Sequence, residues 1–127
     1  MKHASHVANA IDHASQALRA IAVSALWKED VGTSKRDELT NAASCLSNGI
    51  GWLALHLYAR MAESEGTAQA FFEQGFDFVV KARDAIHVCG DGAPSAAVEA
   101  VRAAVDVLMV ARASLTSFDA DLEEGKP

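Results

Sequence analysis

The chain has 127 residues, half of them hydrophobic, a formal charge of −6, two cysteines and two prolines. That is one domain's length, enough for a core without disulfide or metal staples, and too apolar for a disordered or fibrous chain. Its eleven lysines and arginines are spread thinly, and without a dense positive stripe direct nucleic-acid binding is disfavoured.

Four helices are expected within a single domain spanning 1–127. The first covers about 4–28. Val7, Ile11, Ala14, Leu18, Ile21 and Ala25 recur at three- and four-residue steps and share one face. Gly32 in "KEDVGTS" is its expected stop. The second covers about 35–63. Ser34 and Asp37 resemble a capping box, and Glu38 adds negative charge at the positive end of the dipole. Leu39, Ala42, Ala43, Leu46, Ile50, Leu53, Ala54, Leu57 and Met61 are read as its inner face. The third covers about 67–88, capped by Thr67, with Ala68, Phe71, Phe72, Gly75, Val79, Ala82 and Ile86 inside. Gly90 suits a left-handed C-terminal cap, and Pro94 suits the opening turn of a fourth helix over about 94–118. Val98, Val101, Ala104, Val105, Leu108, Met109 and Leu115 face inwards there, with Glu99, Arg102 and Asp106 pairing on the outside. The tail 119–127 is polar. Short links between long helices favour antiparallel neighbours, so the expected architecture is an all-α, up-down-up-down four-helix bundle.

The second helix carries a second stripe. Cys45, Gly49, Trp52 and His56 follow at four, three and four residues, on a face displaced from the leucines. A helix apolar on two sides is central in its fold or contacts another subunit. Gly49 makes room for a large side chain, an aromatic from the third helix being the natural candidate, and Gly51 lies off both stripes. Intrachain packing is the ordinary reading of this stripe. The sharper one is a homodimer or partner interface made by Gly49, Trp52 and His56, with Trp27 beside them and Trp52 as a buried anchor.

Chemistry is sparse. His3, His6 and His13 lie at the margin of the first helix's apolar face. Three imidazoles can hold zinc, but a surface cluster without a ligand role is the simpler reading, and no cofactor or resident metal is expected. A di-iron bundle needs inward carboxylates and paired E-x-x-H motifs, whereas the chain offers one D-x-x-H, Asp84 to His87. Cys45 and His56 are too far apart along one helix for a dyad. Cys45 reads as a small buried hydrophobe, and Cys89, at a helix end, as the more exposed thiol. The N-terminal "MKHASHVANAIDHASQALRAI" lacks the continuous apolar run of a signal peptide. No segment reaches roughly 20 apolar residues, the length of a membrane span. A cytoplasmic protein with reduced thiols is therefore expected.

"KARDAIHVCG" places Arg83 and His87 one turn apart on one face. A cation holds a phosphate and an imidazole moves a proton, the minimum for phosphodiester cleavage. The pair, with Asp84 as polar neighbour, resembles the Arg and His motif of the small helical HEPN ribonucleases, which act as dimers. It departs from that motif by having three intervening residues instead of four to six. That resemblance implies a metal-independent ribonuclease using Arg83 and His87, and it stands second. The first reading is a non-catalytic helical interaction module, which recognises another protein with a basic face or self-associates. Its size and acidity are those of small accessory or inhibitory proteins of bacteria and phages, an analogy only.

Overall fold

A computed structural model describes residues 2–24 and 33–116. Its helices are α1 Lys2–Ala22, α2 Thr33–Met61, α3 Glu65–Cys89 and α4 Ser95–Thr116. They form an antiparallel four-helix bundle in which each helix packs on its chain neighbours and α4 closes the ring on α1. Ala25, Trp27, Gly32 and the tail 119–127 lie outside the described residues, as do the side chains of Ser34 and Leu115.

Most buried residues follow one rule in all four helices: they recur at alternating three- and four-residue steps, with Cys45, Ala59, Ala85, Ala100 and Val105 buried beside that series. In α1 the series is Val7, Ala10, Ala14, Ala17 and Ile21; in α2 Ala42, Leu46, Gly49, Leu53 and His56; in α3 Ala68, Phe72, Gly75, Val79, Ala82, Ile86 and Cys89; in α4 Ala97, Val101, Ala104, Leu108 and Ala111. That seven-residue repeat keeps one seam of each helix facing its neighbours, with side chains of one helix seated between those of the next. Ile11 and Leu18, expected inside, are half-buried at the edge of the α1 seam. Met61 and Met109, also expected inside, are 84% and 58% exposed. Each sits roughly 100° round its helix from the seam, one residue's turn off the repeat.

Small residues set the two closest helix pairs, α1 with α4 and α2 with α3. Alanines on both seams let α1 and α4 approach, and alanine loses no side-chain freedom on burial. In α2 and α3 the approach is closer still. A Cβ added at Gly49 would lie 3.0 Å from Val79 Cγ2 and 3.3 Å from the Gly75 carbonyl oxygen. One added at Gly75 would lie 2.7 Å from Leu53 and 3.2 Å from the Gly49 oxygen. The two backbones therefore meet at these glycines. Gly49 makes room for the backbone of α3, for Val79 and for the Cβ of Phe78 at 3.4 Å, so an aromatic residue of α3 is among its neighbours but its ring is not among the nearest atoms.

Three helix boundaries differ from expectation: α1 ends at Ala22 instead of near 28, α2 starts at Thr33 and so takes in Ser34, the expected capping residue, and α3 starts early. α3 begins at Glu65, ahead of Thr67, whose side chain is exposed in the first turn. The Glu65 carboxylate favours the earlier start through the helix dipole. No side chain caps this end. The preceding Glu63 adopts φ 59°, a left-handed conformation that costs a non-glycine residue roughly 1–2 kcal/mol. Gly90 ends α3 with φ 61° and ψ −128°, a positive-φ conformation suited to glycine but not the left-handed cap expected, and its N–H reaches the carbonyls of Ile86 and His87. After a single 3-10 turn, Gly90–Gly92, the Pro94 carbonyl accepts from Ala97 and Val98 N–H at 3.0 and 3.1 Å and starts α4.

Candidate functional sites at the two ends of the bundle

The antiparallel order puts the start of α1, the end of α2, the start of α3 and the end of α4 at one end. Here His3 and His56 occupy seam positions, 1% and 0% exposed. Their Nε2 atoms lie 2.8 Å apart. His3 Nδ1 lies 2.9 Å from the Ala111 carbonyl oxygen of α4, and His56 Nδ1 lies 2.6 Å from that of Ala68 in α3. The Phe72 ring closes the site, with centroids 5.8 Å from His3 and 5.2 Å from His56. Burial pushes the His56 pKa below its ordinary value; its bond to the Ala68 carbonyl opposes this and the Arg60 charge adds to it. This pair links all four helices through side chains.

His3 is therefore not part of a surface histidine cluster. It continues the α1 seam as the residue four before Val7, and the signal was present in the sequence as the 3, 7, 10, 14, 17, 21 spacing. His6 and His13 are half-buried on α1. Among the described residues no group of three or more His, Cys, Asp or Glu is placed to hold a metal.

At the opposite end, between the close of α3 and the opening of α4, lies a cleft of about 410 Å³. Arg83 and His87 of α3 and Arg102 of α4 line it, over a floor of Ile86, Val98 and Val101. Arg83 touches Asp84 at 3.4 Å, with both side chains largely exposed. Arg102 makes no ion pair with Glu99 or Asp106, contrary to the expectation from spacing; α4 holds α3 instead through Arg112 and Glu73 at 2.9 Å. The structure thus brings Arg83 and His87 to one cavity and adds Arg102, which sequence spacing had assigned to a solvated face.

The second stripe of α2 divides. Gly49 and His56 are buried in contacts within the chain. Trp52 is half-buried, its ring 5.4 Å from Phe71. Leu55, Tyr58 and Met61 are 46%, 73% and 84% exposed; following Trp52 at three-residue steps they wind round the helix, so that Met61 lies roughly half a turn from Trp52. The stretch Leu39 to Ala59 has no Asp, Glu, Lys or Arg. Trp27 lies outside the described residues.

The thiols are inert by placement. Cys45 and Cys89 are free and buried, and desolvation raises both pKa values. Cys89, expected to be the more exposed, instead faces inwards, its Sγ 3.7 Å from the Lys35 carbonyl oxygen. No described helix is long and apolar enough to cross a membrane. Comparison of the chain with protein-family models, with curated proteins and with solved structures finds no match.

Proposed function

We propose that the protein is a non-catalytic helical interaction module, acting in the cytoplasm, and that the exposed Leu55, Tyr58 and Met61 strip of α2, with the half-buried Trp52 at its edge, is the surface it presents. The observation that carries this is the exposure of three large apolar side chains, Leu55, Tyr58 and Met61, at the end of a helix whose residues 39–59 include no Asp, Glu, Lys or Arg. Apolar residues in contiguous exposed patches mark interaction sites more often than isolated ones do. The acidic remainder of the surface favours a partner with a basic face and steers its approach. A second copy of the chain is the alternative occupant.

Light scattering on the intact protein, with and without Tyr58→Glu and Met61→Glu, tests the face. Self-association that both changes abolish assigns it to a second copy. A monomer whose host-protein binding is lost in both variants assigns it to a different partner. A monomer whose binding is indifferent to both removes this reading.

The cleft at Arg83, His87 and Arg102 favours a second reading, the binding of a phosphate-bearing ligand. Two guanidinium groups, an imidazole and the Asp84 carboxylate paired with Arg83 line an apolar floor, and Arg is suited to phosphate by its planar array of donors. The strongest form of this reading is a metal-independent ribonuclease like the HEPN enzymes, with Arg83 and Arg102 holding the phosphate and His87 moving the proton. Cleavage of RNA by the wild-type protein that disappears in folded His87→Ala supports it; absence of cleavage by the wild type rejects it.

A further inference from the structure

Three hydrogen bonds among four ring nitrogens fix the proton count at the closed end. The Ala111 and Ala68 carbonyls can only accept, so the Nδ1 atoms of His3 and His56 each carry a hydrogen. The Nε2 atoms then face each other at 2.8 Å. Two lone pairs, or two N–H groups, would repel at that separation; a hydrogen bond needs one proton between them. The total is three protons, and two neutral imidazoles hold only two. We propose that His3 and His56 share one additional proton and form a single buried imidazole–imidazolium cation, which fastens the first turn of α1 to the other three helices.

Burial opposes a charge on either ring, since they are 1% and 0% exposed, and Arg60 opposes it further on His56; the cation belongs to the pair. His3 donates its other N–H to the Ala111 carbonyl of α4, but its place in the first turn of α1 sets a positive helix end against a charge there, whereas His56 lies near the negative end of α2. Among the described residues, the titratable and charged groups toward this end are His6 on α1, Tyr58 and Arg60 on α2, Glu63 in the α2–α3 turn, Glu65 and Glu73 on α3 and Arg112 on α4. Glu73 and Arg112 neutralise each other across α3 and α4. A metal ion does not fit between the rings: with bonds of about 2.0–2.1 Å, two ligand nitrogens lie roughly 3.3 Å apart at a tetrahedral angle and roughly 4 Å apart on a line, and the 2.8 Å here is shorter than either.

The sign of the pH dependence follows from counting protons. In the unfolded chain both histidines titrate near ~6.5 and take up two protons on acidification. The folded pair keeps one. Below that range the unfolded chain binds more protons, so the pair's contribution to stability is lost as pH falls. Above it the folded pair holds a proton that the unfolded chain has released, so the contribution is lost as pH rises until the shared proton leaves. The proton-linked stabilisation therefore peaks near the ordinary histidine range and declines on both sides. Once the proton departs, two lone pairs oppose each other beside Phe72 and the start of α1 is released.

The test is a titration of the intact protein, ¹⁵N-labelled at histidine, from about pH 5 to about pH 9. The expected spectrum near neutral pH has three of the four nitrogens of His3 and His56 protonated. Two neutral rings, or two rings that charge independently at the ordinary histidine value, would overturn the proposal. Denaturation midpoints of wild type and a His3→Gln/His56→Gln double variant, compared over the same range, should differ most near neutrality. A flat or one-sided difference also overturns it; if the double variant does not fold, the wild-type titration decides alone. A thermal shift with Zn²⁺ or Cu⁺ in wild type that the double variant lacks would replace the proton with a metal and overturn the proposal too.

Discussion

At one end of the bundle His3 and His56 are sealed beneath Phe72, and all four of their ring nitrogens have partners within 2.9 Å. At the other, His87 stands exposed on an open cleft between Arg83 and Arg102. The same residue type thus serves two kinds of chemistry, and its position on the seven-residue repeat decides which. His3 and His56 lie on the seam, where a polar ring must find partners inside the protein or destabilise it. His87 lies off the seam, where water satisfies it and a ligand can reach it. Stability should therefore concentrate at the histidine-pair end and ligand response at the cleft.

Truncation offers the sharpest test of that division. Phe72→Ala removes the ring that seals the pair and should cost about 3–5 kcal/mol in urea denaturation. Val98→Ala in the cleft floor, where the side chain is only half-buried, should cost about 1 kcal/mol or less. Equal losses at the two positions would erase the contrast.

Between the ends, the glycine contact allows a graded comparison. Gly75→Ala should destabilise by about 1–3 kcal/mol, because Leu53 is fully buried and has little room to move from the new methyl group. Gly51→Ala should raise stability by up to about 1 kcal/mol, since nothing lies within 4 Å of its Cβ position and alanine favours the helix. Thermal midpoints that move in the same direction for both would contradict the backbone contact.

The smallest expected effects on folding are at the cleft. Arg83→Ala and Arg102→Ala should each stay within about 0.5 kcal/mol of wild type, as exposed side chains without buried partners do. If the cleft takes phosphate, stabilisation of the wild type by added phosphate should fall in both variants. Unchanged phosphate response would leave the cleft as surface relief.

The fold was readable because helix length, short links and apolar spacing all point to one architecture. The stop at Gly90 was equally plain, since a glycine between two strong helical patterns has a specific backbone use. The histidine pair was hidden by a local assumption: His3 lies so near the start of the chain that it reads as frayed surface, although it is in register with Val7 and Ala10. Its partner lies 53 residues away, and pairing across helices depends on axial register, which spacing within one helix does not contain. The same limit concealed the union of Arg102 with Arg83 and His87. Met61 was misplaced for a different reason. An apolar residue in a strongly apolar helix was assigned to the core, although the three-residue steps from Trp52 through Leu55 and Tyr58 carry it outwards.

The meeting of Gly49 and Gly75 has a mechanical consequence. Side chains in a helix interface can change rotamer and absorb small shifts, but here main chain rests on main chain. Both glycines lie in the middle portion of their helices. Any rocking of α2 against α3 must use that contact as a fulcrum, so displacement at one extremity is returned with opposite sense at the other.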